Sequence, residues 1–377
     1  MNMAPDAGSR LANARRLVIK IGSVLLVEPE TGAICREWLD ALCDDIMALR
    51  ARGAEVVLVS SGAIAVGRRH LGIERDALML EEKQASAATG QIRLAHAWQE
   101  ALAGHDVTVA QVLLTLSDTE ERRRHLNARN TIETLLRLGA IPVINENDTV
   151  ATEEIRFGDN DRLAARVAQM ISADTLILLS DIDGLYSEDP RANPDAEFIV
   201  EIEEITSEII AMAGAAPPGY SSGGMVTKLD AARIALGAGC AMAIVDGKPR
   251  RPIQAILDGG RCTWFRSSAQ PRAARKSWIA GSVSPSGDII IDDGAARALS
   301  DGKSLLPAGV TAVTGSFQRG DLVVILGSAG HEVGRGLTAY SADDARRIIG
   351  HKSREIEALL GYRGRDEMIH RDDLVLK

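Results

Sequence analysis

From the first residues to about position 260 the chain alternates short apolar runs with stretches of helical spacing. Arg16–Leu26 (RLVIKIGSVLL) reads as a buried strand that runs into a glycine turn. Arg36–Arg52 follows with Leu39, Leu42, Cys43, Ile46 and Leu49 on one stripe, a helix that Gly53 ends. Glu55–Val59 predicts a second buried strand, residues 83–103 a helix, and Val107–Leu114 a third strand. A helix over 118–138, a strand at Ile141–Ile144, a helix over 162–171 and a strand at Thr175–Leu179 complete the repeat. A helix at 228–236 and a short strand at Met242–Val245 come after a long insert. Strands that are apolar on both faces, separated by helices, predict an α/β fold: a mostly parallel sheet sandwiched between helices.

The pattern changes near residue 266. Arg266–Lys276 is polar and basic and reads as a linker. Glycine-broken strand signals follow at Trp278–Ala280, Asp288–Ile291, Val310–Val313 and Asp321–Leu326, then a helix over 343–360 and a polar tail. The expected boundaries are a first domain at 12–265, a linker at 266–277, a small mainly-β domain at 278–362 and a tail at 363–377.

In a parallel sheet, ligands sit beyond the carboxyl ends of the strands. Polar or glycine clusters stand at four such ends: Gly22-Ser23, Ser60-Ser61-Gly62, Asn145-Glu146-Asn147-Asp148 and Ser180-Asp181. Lys20 lies inside an apolar strand just before a glycine, where it either reaches a phosphoryl group or snorkels to water. No Gly-rich phosphate loop of the common kinds is present. The candidates that remain are Gly22-Ser23, Ser61-Gly62 and Ser222-Gly223-Gly224-Met225-Val226-Thr227-Lys228, the last of which opens a helix with a lysine and is either an anion cradle or a surface loop. Gly158-Asp159-Asn160-Asp161 opens another helix with more polar groups than capping needs.

Composition narrows the class. Apolar residues make up 46% and charged residues 25%, as in soluble enzymes, whereas aromatics are only 3%, so the core is aliphatic. From Arg275 onward 14 basic and 14 acidic residues cancel, so the net charge of −9 falls on the preceding part. That balance argues against a nucleic-acid or membrane-surface protein. No apolar stretch reaches membrane-spanning length and no signal core opens the chain, so a cytoplasmic location is expected. Cys35, Cys43, Cys240 and Cys262 form no metal or redox spacing and read as buried thiols. His70, His96, His105 and His125 show no triad context and read as surface or capping residues.

Together the motifs resemble the amino acid kinase family: VIKIGS around Lys20, SSGAIAVG from Ser60, LNARNT from Leu126, PVINENDTVA from Pro142, FGDNDRLAA from Phe157, LLSDIDGLYSEDPR from Leu178 and SGGMVTKLDAA from Ser222. The INEND and GDND elements are similar to those of the branch that phosphorylates the glutamate side-chain carboxylate. GDIIIDDGA, LLPAGVTAVTGSFQRGD and the closing HRDDLVL resemble a PUA domain and the usual end of such kinases. The resemblance implies that Lys20 and Lys228 flank the transferring phosphoryl group and that Asp161 orients them. It implies that Ser61, Asp148 and Asn160 bind L-glutamate with Asn145 close by. It places ATP with Mg²⁺ on Lys20, Gly22, Ser180, Asp181 and the loop Ser222, Gly223, Gly224, Met225, Val226, Thr227 and Lys228. It also implies the first step of proline synthesis, proline as feedback inhibitor, a dimer or tetramer, and a glutamyl phosphate reductase that takes the product. One departure stands out: family members carry two hydroxyl residues after the first glycine, and here Ser23 is followed by Val24. An RNA-binding role for the PUA-like part is the rival from another class, and its neutral charge argues against it.

Overall fold

The structure is a computed structural model, and it describes residues 7–75, 77–150, 159–214, 224–267 and 285–377. The chain divides into two compact units, Met1–Glu120 with Asn127–Pro271, and Glu121–Leu126 with Arg272–Lys377. Its first part runs α1 (Ala7–Asn13), β1 (Arg16–Ile21), α2 (Ser23–Leu26), α3 (Arg36–Ala51), β2 (Glu55–Val59), α4 (Ala63–His70), α5 (Leu80–Ala103), β3 (Val109–Leu114), α6 (Leu116–Glu120), α7 (Arg122–Arg137), β4 (Ile141–Glu146) and α8 (Asp159–Met170). It continues with β5 (Thr175–Ser180), β6 (Leu185–Tyr186), β7 (Phe198–Ile199), β8 (Glu201–Ile202), α9 (Ser207–Met212), α10 (Met225–Gly237), β9 (Ala241–Asp246), α11 (Pro252–Leu257) and β10 (Cys262–Phe265).

Eight strands form one sheet in the order β3-β4-β2-β1-β5-β9-β10-β8. Every pair is parallel except β9 with β10. The expected sandwich follows from the side chains. Along β1, Leu17, Ile19 and Ile21 join a core with Leu39 and Leu42 of α3 and Leu94 and Trp98 of α5. Val18 points the other way, into a second core with Ala164 and Val167 of α8 and Leu229 and Ala232 of α10. With both faces covered, an unbroken apolar run is what each central strand must be.

Register levels the strand ends that matter. Lys20 of β1 is opposite Val59 of β2 and Leu178 of β5, and Val59 is opposite Ile144 of β4. The chain leaves β1 toward β2 on one side and reaches β5 on the other, so the order switches beside β1. Ligands favour such a point in open α/β sheets.

Several expectations are corrected. The apolar run after Gly22 is not strand: Ser23–Leu26 turns into the short helix α2. The helix expected over 118–138 is two, α6 and α7, since five charged residues from Glu120 to Arg124 leave its stripe without an apolar anchor. α5 begins earlier than expected, because the Glu82 side chain accepts from the Met79 amide at 3.0 Å and caps its first turn. Cys35 is half-buried, while Cys43, Cys240 and Cys262 are buried as expected. His70 and His96 are exposed, His105 and His125 half-buried.

The second unit carries β11 (Gly287–Ile291), α12 (Asp293–Ser300), β12 (Val310–Gly315), β13 (Leu322–Leu326), β14 (Glu332–Leu337), α13 (Ala342–Ile348), α14 (Ile356–Leu360) and β15 (Leu374–Leu376). Its sheet has the order β12-β11-β13-β14-β15. The single helix expected over 343–360 is broken at Gly350, whose φ of +74° is left-handed and ends α13. The polar tail is corrected as well: its last residues form β15, antiparallel to β14, and Met368 and Ile369 are buried in this unit's core. The strand expected at Trp278–Ala280 lies outside the described residues, as does most of the expected linker. Among the described residues no helix is long and apolar enough to cross a membrane.

Candidate active site

Four strand ends and two helix starts converge beyond the carboxyl edge of the large sheet. β1 supplies Lys20, which is only 7% exposed. α8 supplies Asp161, fully buried, and α10 supplies Lys228. The Lys20 ammonium lies 2.7 Å from Asp161 Oδ1, and the Lys228 ammonium 3.2 Å from Oδ2. The Thr227 hydroxyl donates to Oδ2 at 3.0 Å. One carboxylate therefore holds two ammonium groups side by side. Burial alone would raise the Asp161 pKa, yet Lys20 and Lys228 outweigh it and pull the value down to about 2. Burial lowers the pKa of Lys20, and the like charge of Lys228 adds to this, while Asp161 opposes both.

A second cluster borders the first through a single peptide bond. Asn160, next to Asp161 on α8, turns its amide toward the ends of β2 and β4. Its Nδ2 lies 3.1 Å from the Ser60 carbonyl, 3.0 Å from Ser61 Oγ and 3.1 Å from Asn145 Oδ1. The turn that presents Ser61 depends on Gly62, whose φ of +96° is left-handed and whose Cβ would stand 2.8 Å from a Val27 methyl. From α5, Trp98 donates to Ser60 Oγ at 3.2 Å and Gln91 accepts from Asn145 Nδ2 at 2.6 Å.

Asp148 is buried and has no hydrogen-bond or ion-pair partner among the described residues. Its carboxyl is pushed up to about 6 by burial alone. On the other side of Lys20, β5 ends in buried Ser180 and exposed Asp181. Burial would raise the Asp181 carboxyl, but its own backbone amide, Arg191 and Lys228 hold it below the usual range. α10 begins at Met225 after Gly224, so the first amides of this helix face outward from its N-terminus with Lys228 one turn inside.

Residues 15–246 match the amino acid kinase family. The chain belongs to that family. Residues 287–360 match the PUA domain. Full-length relatives of this kinase include the glutamate 5-kinase of Paramagnetospirillum magneticum, 66% identical over 98% of this chain and 100% of the relative. Glutamate 5-kinase 1 of Rhizobium meliloti is 60% identical over 98% of this chain and 94% of its own. The glutamate 5-kinase of Gluconobacter oxydans is 59% identical over 99% of both chains. Within its family this kinase thus groups with the glutamate 5-kinases. A UMP kinase from Ureaplasma parvum superposes with a TM-score of 0.50 at 16% identity, covering 68% of this chain and 100% of that one, a likeness of fold.

Of the residues expected at the kinase site, Lys20, Asp161, Thr227 and Lys228 meet in one ion-paired group, and Ser61, Asn145 and Asn160 in one hydrogen-bonded group. Gly224 touches the first group, its carbonyl 2.9 Å from Thr227 Oγ1, while Asp148, Gly22, Ser180, Asp181, Met225 and Val226 lie at the adjoining strand ends and helix start. Ser222 and Gly223 lie outside the described residues. Val24, the departure noted in the sequence, is 57% exposed on α2. Gln91 and Trp98 were not anticipated. Their signal was present: Gln91 falls on the buried stripe of Ala87, Leu94 and Trp98, where a polar side chain needs a polar partner.

Proposed function

We propose that this kinase transfers the γ-phosphoryl group of ATP to the side-chain carboxylate of L-glutamate, giving L-glutamyl 5-phosphate and ADP. The observation that carries the reading is the adjacency of Asn160 and Asp161 on α8. One residue serves a pocket of amides and hydroxyls, the other a pair of lysines, so an amino acid and a phosphoryl group meet over one peptide bond. The names of the relatives supply the substrate.

The acceptor carboxylate is ionised at neutral pH, so the reaction needs positioning and charge neutralisation rather than a base. Asp161 holds Lys20 and Lys228 where they flank the transferring group. The γ-carboxylate oxygen attacks the γ-phosphorus, the bond to the β,γ-bridging oxygen breaks, and ADP leaves with that electron pair. The amides at the start of α10, with Ser180 and Asp181, face the nucleotide. Ser61, Asn145, Asn160 and Asp148 hold the amino acid, and ionised Asp148 pairs with its ammonium group.

Among the described residues no three potential ligands cluster to hold a metal ion, and Asp161 already balances two lysines. The magnesium that accompanies ATP is substrate cargo carried on the phosphate oxygens.

The reading extends to the first step of proline synthesis in the cytoplasm, with proline competing at the glutamate pocket. A homodimer or tetramer would hand the reactive acyl phosphate to a glutamyl phosphate reductase. Two variants test the residue roles. Lys228→Ala should lower kcat far more than it raises the KM for glutamate, since its contact strengthens as charge spreads over the phosphoryl oxygens. Ser61→Ala should mainly raise the KM for glutamate. Near-full turnover in the first, or an unchanged glutamate KM in the second, removes that residue from its role.

A further inference from the structure

We infer that Gln91 is a positioning residue that anchors Asn145, and through it Asn160, in the amino-acid pocket, so that Asn160 holds an acceptor toward the substrate's ammonium group. The inference rests on the proposed assignment of Ser61, Asn145 and Asn160 to that pocket.

Main-chain groups of fixed character settle the orientation of each amide. The Glu146 amide lies 2.9 Å from one corner of the Asn145 side chain, and a backbone N–H only donates. That corner is therefore Oδ1, and the other is Nδ2. Nδ2 stands 2.6 Å from Gln91, so the Gln91 atom that faces it is the acceptor Oε1. At the far end, the Asn160 amide meets the Ser60 carbonyl at 3.1 Å, and a carbonyl only accepts. That corner of Asn160 is Nδ2, which also serves Ser61 Oγ and Asn145 Oδ1.

What remains is Asn160 Oδ1. It is buried and has no hydrogen-bond partner among the described residues. A buried acceptor without a donor is costly and calls for one from a ligand. A primary ammonium group brings three N–H donors, whereas an unsubstituted methylene at the same place brings none. The relay Gln91–Asn145–Asn160 thus favours a free amino acid over its deaminated analogue.

Gln91 stands there because two helices touch without side chains between them. A Cβ on Gly67 of α4 would lie 1.7 Å from the Ser86 carbonyl oxygen of α5, and one on Gly90 of α5 would lie 1.8 Å from that of Ala63. This contact presses α5 onto α4 and brings the residue after Gly90 against the end of β4. Gln91 is 9% exposed, and the pocket residue Asn145 is its hydrogen-bond partner.

The test compares L-glutamate with glutarate, which lacks the amino group, in the full-length enzyme. Gln91→Met keeps the length and loses the acceptor. It should raise the KM for glutamate by about tenfold or more, the size of one lost hydrogen bond to a charged group, and leave the KM for ATP unchanged. The preference for glutamate over glutarate should shrink by the same factor. In an Asn145→Ala background the same change should add nothing further, because it acts through Asn145. Gln91→Asn, too short to reach Nδ2, provides a second variant should the first not fold. An equal rise in both KM values, an undiminished preference, or a full additional effect in the Asn145→Ala background overturns the relay. If Asn145→Ala and Asn160→Ala themselves leave the glutamate KM unchanged, the pocket assignment falls, and the relay with it.

Discussion

A carboxylate taken out of water resists ionisation, because the charged form loses its hydration. Asp161 is fully buried and still holds its pKa near 2, because Lys20 and Lys228 stand at its two oxygens. A folded pKa below the unfolded one means stability that is present above about pH 4 and lost as pH falls toward 2. At pH 7 Asp161→Asn leaves two buried ammonium groups without a counter-charge. Breaking such a group should cost about 3–5 kcal/mol, read by urea unfolding, and a loss below about 1 kcal/mol, the scale of an exposed pair, would contradict the buried geometry. Asp148 runs the other way. Burial raises it to about 6, so between about pH 4 and 6 the folded state keeps a proton that the unfolded chain has released, and stability falls as pH rises through that window. Only the ionised form pairs with a substrate ammonium. The KM for glutamate should therefore fall as pH rises through about 6, and Asp148→Asn should flatten that inflection in a pH profile. A wild-type KM that does not change across this range would rule out the pairing.

Helices α4 and α5 pack with no side chain between them at their closest point. Their backbones meet at Gly67 and Gly90, where any side chain would collide with a carbonyl oxygen at under 2 Å. Gly67→Ala or Gly90→Ala must push the helices apart, with a loss of about 3 kcal/mol by denaturant unfolding and a raised glutamate KM as Gln91 withdraws. A neutral Gly90→Ala would show that the helices do not pack this closely. The same two helices show where sequence reading stops. Central strands such as Val18–Ile21 and Val56–Val59 were legible, since apolarity on both faces leaves few alternatives. Lys20, Asp161 and Lys228 were legible as candidates because charged residues stood out at strand ends and helix starts. Gln91 is legible only through its stripe, because a lone glutamine in a long helix looks like surface until Ala87, Leu94 and Trp98 are set beside it. The helix breaks were missed where tertiary contacts or a left-handed glycine, not periodicity, decide the end. The strand β15 was missed because three residues give no alternation to read.

On the scale of the whole molecule, the residues assigned to chemistry all belong to the first unit, and the second has its own sheet and core. The negative charge also falls on the part before Arg275, the part that carries the lysine pair. That arrangement suits a small anionic substrate gathered by fixed pockets rather than a polyanion bound over a surface. The central claim is that the amide-and-hydroxyl pocket beside the lysine pair takes L-glutamate as phosphoryl acceptor. The most direct test is a coupled ADP-release assay with MgATP, offering L-glutamate, L-aspartate, N-acetylglutamate and UMP in turn, with and without proline. ADP release with L-glutamate alone, suppressed by proline, is the predicted result; release with another acceptor and not with L-glutamate would contradict the claim.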